Sequence, residues 1–283
     1  MKKSYVLYNP YSGNGRGYEY AKKLTSIVSD DLTYINITKI TDFNSFFKMT
    51  NGEDIIICGG DGTLNTFVNN VYNIKYKNNI LYYSTGSGND FYNDIFKGKG
   101  EGPHLINDFI KDLPIVTIND KDYVFLNGVG FGIDGYCCEK GEIHKKKSNR
   151  PVNYTKFALK GLLYDYKPTN ALIEIDGIEY EYKKVWCAPT MKGRCYGGGM
   201  LIAPYQNRLN SDKVLTLVVI HGNVKLKVLT AFSTVFSGKH IKFKNNVSMH
   251  TGSNIKVTFD RPVSLQIDGE SFLNIKEYTV RIK

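Results

Sequence analysis

Asp61 and Thr63 lie within Gly59-Gly60-Asp61-Gly62-Thr63, directly after the apolar run Ile55-Ile56-Ile57-Cys58. A carboxylate and a hydroxyl in a glycine-rich turn between a strand and a helix are suited to handling phosphate. Glycine lets the backbone approach an anion and take positive φ where a side chain would clash. A helix starting near Leu64 would aim free N–H groups at that anion. Asp61 could then orient a metal or a ribose hydroxyl, and Thr63 could donate to a phosphate. The same residues equally suit a plain strand-to-helix turn with Asp61 and Thr63 as caps. Far downstream, Asp268-Gly269-Glu270 offers two carboxylates. Residues two apart on a strand face the same side, so one could accept a proton while the other holds metal or orients the first. Asp-Gly is also a two-residue hairpin turn, and locally the two readings coincide.

The first part of the chain alternates short strands, Ser4 to Tyr8, Thr33 to Ile37, Asp54 to Cys58 and Ile80 to Tyr83, with helices near Tyr18 to Val28, Ser45 to Met49 and Leu64 to Tyr72. That order predicts a mainly parallel, doubly wound sheet, whose ligands sit beyond the carboxyl ends of the strands. Three polar, glycine-bearing segments follow such ends: Asn9-Pro10-Tyr11-Ser12-Gly13, Gly59 to Asn65, and Thr85-Gly86-Ser87-Gly88-Asn89-Asp90. They are expected to converge on one crevice. After about Asp120 the runs alternate with period two: Ala171 to Ile175, Ile178 to Tyr182, Val214 to Ile220, Asn254 to Phe259 and Val263 to Ile267. They predict a β-sandwich with one helical excursion, Tyr154 to Tyr166, and a hairpin turn without chemical duty at Asp176-Gly177. The expected domains are 1–120, α/β, and 121–274, all-β, with strand 275–283 returning to the first domain.

A chain of 283 residues can bury a sizeable core without disulfides. Its 5 cysteines are odd in number and form no CxxC pair, which argues for reduced thiols and against structural zinc. The longest strongly apolar run, Val214 to Ile220, is far below the roughly 20 residues of a spanning helix, and the N-terminus lacks the pattern of a signal peptide. A cytoplasmic location is the expectation. The net charge of +10 and a pI near 9.1 ask for an anionic partner. The densest basic segment, His144-Lys145-Lys146-Lys147-Ser148-Asn149-Arg150, reads as a solvated loop; facing a bilayer, each Lys or Arg would add about 1 kcal/mol of attraction to anionic lipid. No nucleic-acid partner is expected, because the aromatic residues lack a stacking motif interleaved with Arg.

In this order the segments resemble the diacylglycerol kinase catalytic-domain family, soluble lipid kinases related to sphingosine and ceramide kinases. Asn9-Pro10-Tyr11-Ser12-Gly13 is similar to its opening Asn-Pro-x-Ser-Gly, Gly59 to Asn65 to its nucleotide loop, and Gly86-Ser87-Gly88-Asn89-Asp90-Phe91 to its Gly-Thr-x-Asn-Asp-Phe. Asn127-Gly128-Val129-Gly130-Phe131-Gly132, Gly197-Gly198-Gly199-Met200 with Ala203-Pro204, Asp212, and Gln266-Ile267-Asp268-Gly269-Glu270 complete the series. The resemblance implies an α/β domain related to NAD kinases, then a β-sandwich, with the active site in the cleft between them.

The implied chemistry is transfer of the ATP γ-phosphoryl group, with magnesium, to a lipid hydroxyl, foremost diacylglycerol to give phosphatidate. It implies nucleotide contacts at Asn9, Pro10, Ser12, Gly13, Thr38, Gly59, Gly60, Asp61, Gly62, Thr63, Asn65, Ser87, Asn89 and Asp90. Asp61 would touch the magnesium carried with ATP, and Asp268 and Glu270 would serve the attacking hydroxyl, either of them as the base. Asp212, with the carbonyls of Leu209 and Val214, matches a structural magnesium site of bacterial members; a plain turn Asp ahead of a strand is the other reading. Work at the inner face of the membrane is expected, and a homodimer is left open. Three departures bear on activity: Lys213 where the family has Gly, Val116-Thr117-Ile118-Asn119 where it often has an Asp, and Thr66 where Glu is common. They keep a nucleotide binder without turnover as an alternative. NAD kinase is the other, disfavoured by Asn89-Asp90-Phe91 and Asp268-Gly269-Glu270.

Overall fold

A computed structural model describes residues 2–86, 88–97, 101–148 and 152–282. Ser87, Asn149 and Arg150 lie outside the described residues. The chain divides into two compact units, Met1–Leu113 and Pro114–Lys283.

The first unit is built on β1 (Lys3–Tyr8), β2 (Asp31–Asn36), β3 (Asp54–Gly59), β4 (Ile80–Ser84) and β5 (His104–Leu105), in the order β2-β1-β3-β4-β5. β1 to β4 run parallel and β5 antiparallel. All six residues of β3 are buried, as the continuous run Ile55-Ile56-Ile57-Cys58 requires of a central strand covered on both faces. Its helices are α1 (Ser12–Gly15), α2 (Gly17–Lys22), α3 (Phe43–Thr50), α4 (Asp61–Val71), α5 (Asp90–Phe96) and α6 (Asn107–Ile110). Val6, Ile56 and Cys58 pack against Ala21 and Leu24 on one face. On the other, Tyr5 meets Phe46 edge-on, and Phe43 meets Phe67. The sheet is therefore doubly wound, and its parallel strands deliver Tyr8, Asn36, Gly59 and Ser84 to one edge.

The second unit holds β6 (Ile115–Ile118), β7 (Lys121–Val124), β8 (Gly128–Gly132), β9 (Thr169–Ile175), β10 (Ile178–Met191), β11 (Leu215–His221), β12 (Val247–Gly252), β13 (Asn254–Ile267) and β14 (Glu270–Arg281). β9 pairs with residues 178–185 of β10 and 255–259 of β13, and β8 with residues 187–191 and 265–267 of the same two strands, so β9 and β8 follow one another in the lane between them. The 14-residue strands β10 and β13 are long enough to span both, and their ladders shift register at Tyr182/Val185 against β9 and at Thr258/Val263 against β14. The main core of this unit gathers Phe131, Ile173, Val257, Phe259, Leu265 and Tyr278. α7 (Ile133–Lys147), α8 (Tyr154–Lys160) and α9 (Lys225–Ser233) contribute a second core around Trp186, Ile220, Cys137 and Val228.

Several expectations need correction. The division falls at Leu113/Pro114, and the C-terminal strand stays in the second unit, where β14 pairs with β13 and β6. His144 to Lys147 form the last turn of a 15-residue helix, not a loop. That helix escaped notice because its buried residues are Ile133, Asp134, Gly135, Cys137 and Gly141, mostly small or polar, which leave no apolar stripe. α9 also went unpredicted.

Candidate active site

At the end of β1, Asn9 organises its own loop. Its Oδ1 accepts the Tyr11 N–H at 3.0 Å, and its carbonyl accepts the Ser12 N–H at 3.1 Å and the Ser12 hydroxyl at 2.8 Å. Gly13 has φ +58°, and a Cβ there would lie 2.4 Å from the Tyr20 ring. Gly17, absent from the expected set, is equally constrained, since a Cβ would stand 1.9 Å from the Asn9 carbonyl oxygen. Thr38 is exposed beyond β2, its hydroxyl donating to Asn36 Oδ1 at 2.8 Å.

The glycines after β3 work through close approach rather than through positive φ, contrary to expectation: none of Gly59, Gly60 and Gly62 has a left-handed φ. A Cβ on Gly59 would lie 2.5 Å from the Thr63 side chain, and one on Gly86 would lie 2.6 Å from Gly60 Cα. The two loops thus touch backbone to backbone. α4 starts at Asp61, three residues earlier than expected, with Gly60 as N-cap. The Asp61 carboxylate accepts the backbone N–H of Asp90 at 2.7 Å and of Phe91 at 3.3 Å, so the first residue of α4 caps α5. Asn89, at φ +50°, donates its amide to the Gly86 carbonyl at 2.6 Å. Gly62 is open, with no atom within 4 Å of where a Cβ would stand. Thr63, Asn65 and Asp90 are buried; Asn65 Oδ1 accepts from Asn69 at 3.1 Å. The segments after β1, β2, β3 and β4 therefore share one edge of the sheet, with Pro10, Ser12, Gly60 and Asp61 at least partly accessible.

In the second unit, Asp268 and Gly269 have φ of +46° and +92° and form the two-residue turn between β13 and β14. Asp268 is thus not two places from Glu270 on a common strand, and the same-face argument gives way to the turn. Its Oδ2 accepts the Leu126 N–H at 2.5 Å, and Oδ1 accepts those of Asn127 at 2.8 Å and Gly128 at 3.0 Å. The same segment is held from its carbonyl side by buried Arg208, which donates to the Leu126 carbonyl and, at 2.5 Å, to Asn127 Oδ1. Asp176 does likewise at the other Asp-Gly turn, accepting the N–H groups of Ser253 and Asn254. Only the next residue differs between the turns, Glu270 against Ile178.

Glu270 opens β14 and is exposed. Desolvation by the protein around it raises its carboxyl above the ordinary range, the charges of Asp268 and Glu142 raise it further, and Lys145 opposes them. Glu142, on α7, accepts the Ser271 N–H at 3.0 Å. In the first turn of α7, burial pushes the Asp134 carboxyl up to about 7. Asp212 is exposed and accepts from the Ser211 hydroxyl at 3.3 Å, and Lys213 has φ +50°, the conformation that glycine at this place would take freely. Asn119 belongs to the tight turn between β6 and β7, with φ +48°. Among the described residues no three His, Cys, Asp or Glu side chains are grouped to hold a metal ion.

Residues 3–115 match the family model described as diacylglycerol kinase catalytic domain, and residues 127–279 match the YegS C-terminal NAD kinase beta sandwich-like domain. A Bacillus subtilis protein named diacylglycerol kinase is 23% identical over 295 residues, 95% of this chain and 90% of that protein. A second Bacillus subtilis protein, named "Putative lipid kinase YtlR", is 25% identical over 239 residues, 76% of this chain and 73% of its own. A crystal structure of a diacylglycerol kinase from Bacillus anthracis superposes with a TM-score of 0.59 at 17% identity, covering 99% of this chain and 93% of that one, which speaks for the fold. The glycine-rich strand ends, the Asp61 cap, the Asp268-Gly269-Glu270 turn and the two matched models agree: this chain belongs to the diacylglycerol kinase catalytic-domain family.

Proposed function

We propose that the chain is an ATP-dependent lipid kinase that phosphorylates a lipid hydroxyl, diacylglycerol foremost, to give phosphatidate and ADP. One observation carries the assignment of roles: Asp268 is engaged by three backbone N–H groups, whereas Glu270, two residues on, is exposed with a raised carboxyl. Glu270 is the general base and Asp268 fixes the turn that presents it. The Glu270 carboxylate takes the acceptor proton, the alkoxide oxygen bonds to the γ-phosphorus, and the bond to the β-bridging oxygen breaks with its electron pair leaving on ADP. Such a transfer depends mainly on positioning and charge neutralisation. Ser12, Gly13 and the Gly60–Thr63 backbone would cradle the phosphates, with Thr38, Asn89 and Asp90 completing the pocket and Asp61 holding the metal side. Magnesium carried with ATP would neutralise phosphate charge there.

A lipid acceptor requires a membrane surface, and the second unit offers a suitable face. From residue 224 to 236, on and just after α9, the chain carries Lys225 and Lys227 and no Asp or Glu. Within it Val224, Leu226 and Phe236 are exposed, Leu226 at 73%, and Lys225 donates to the Leu163 carbonyl at 3.0 Å beside exposed Tyr164. Apolar tips among lysines suit an anionic bilayer. Among the described residues no helix is long and apolar enough to cross a membrane. Transfer of labelled γ-phosphate to a panel of lipids in mixed micelles, with NAD as control, tests the reading; label in NAD alone contradicts it.

A further inference from the structure

The turn ahead of β11 is closed by amides. Asn210 faces Val214 as a strand partner would: its Oδ1 accepts the Val214 N–H at 2.8 Å, and its Nδ2 donates to the Val214 carbonyl at 2.9 Å and to the Asn207 carbonyl at 2.7 Å. Gln206 Nε2 donates to the same Val214 carbonyl at 3.1 Å, while its Oε1 accepts the Thr216 hydroxyl at 2.6 Å. Asn207 Oδ1 accepts the Leu209 N–H at 3.0 Å. The amide orientation of Asn210 follows from the network itself, because a backbone N–H can only donate and a carbonyl can only accept. Two N–H groups therefore take up both lone pairs of the Val214 carbonyl.

We propose that Asn210 and Gln206 do here what a divalent cation would do in the Leu209, Asp212 and Val214 arrangement implied by the family, so that this turn keeps its shape without magnesium. A magnesium ion needs oxygen lone pairs at about 2.0–2.1 Å in near-octahedral array, and the Val214 carbonyl has none to give. Asp212 is exposed rather than turned into a ligand cage, and the following residue brings the positive charge of Lys213. The Asn210–Val214 pair supplies the cross-link in place of metal–oxygen bonds. This ion is distinct from the one that accompanies ATP, and the inference holds whether or not the chain turns over ATP.

The test is thermal melting of the whole chain without nucleotide, after dialysis against a chelator, with and without millimolar magnesium. The wild type is expected to shift by less than about 1 °C, and Asn210→Ala to melt about 3 °C or more lower to the same extent in both buffers. Elemental analysis should find no stoichiometric magnesium. A rise of several degrees in magnesium that Asp212→Asn abolishes, or one retained equivalent per chain that this variant loses, overturns the inference. So does an Asn210→Ala melt identical to wild type. If that variant does not fold, the wild-type and Asp212→Asn melts decide.

Discussion

Asp61, the first residue of α4, accepts the backbone N–H of Asp90, the first residue of α5, at 2.7 Å. One carboxylate thus holds two helix starts side by side at the edge where the parallel strands end. Asp61→Asn removes the charge from that cap, and caps of this kind contribute about 0.5–2 kcal/mol. Calorimetry and melting should show weaker ATP binding together with a lower melting temperature. Unchanged ATP affinity would remove Asp61 from the nucleotide pocket.

The glycines of the loops should separate by the room around them. Gly86→Ala pushes a methyl against Gly60 Cα and should impair both folding and ATP binding. Gly62→Ala meets nothing within 4 Å and improves a helical position. It should fold at least as well as wild type while losing ATP affinity if the Gly62 backbone faces phosphate. Retained ATP affinity in Gly62→Ala places phosphate elsewhere.

Two carboxyls give the chain a pH dependence of definite sign. Asp134 is raised to about 7, above its unfolded value, so between about 4 and 7 the native state holds a proton that the unfolded state has lost. Its contribution is fully present below that window and is lost as pH rises through about 7. Asp134→Asn should flatten this part of the stability curve measured by denaturant titration. Glu270 is also raised, and as a base it must be ionised, so kcat/KM should fall with acidification at a pH above the ordinary glutamate range. Glu270→Gln, if measurable, should lack that limb.

The proposed bilayer face predicts that Leu226→Asp weakens co-sedimentation with vesicles rich in phosphatidylglycerol by about tenfold or more, since burying such a side chain contributes about 1.5–3 kcal/mol. Melting temperature should barely change, because Leu226 is exposed. Equal sedimentation of variant and wild type would exclude α9 from the contact.

Much of this architecture was legible in the residues. The run Ile55 to Cys58 could only be a buried strand, and Asp176-Gly177 reads as a tight turn with or without a structure. The loops after β1, β3 and β4 were recognisable from their glycines, although it is Gly13 after β1 that takes a left-handed φ, and close packing against Thr63 and between Gly60 and Gly86 is what demands Gly59, Gly60 and Gly86 after β3 and β4. What stayed hidden depends on contacts distant in sequence. Asp268 reaches Leu126, Asn127 and Gly128, about 140 places away, and Arg208 grips the same segment. A composition-based reading of Asp268-Gly269-Glu270 could not tell which acid was already engaged. α7 was concealed because small and polar residues, Gly135 and Asp134 among them, form its buried side.

Comparison of Asp268→Asn with Glu270→Gln tests the division of roles most directly, through γ-phosphoryl transfer to diacylglycerol in mixed micelles alongside thermal melting. Asp268→Asn is expected to lower the melting temperature, since an amide cannot accept all three N–H groups without placing its own N–H against one of them. Glu270→Gln is expected to keep the wild-type melt and ATP affinity and to lose about 10²-fold or more in kcat. Wild-type turnover in Glu270→Gln would contradict the account.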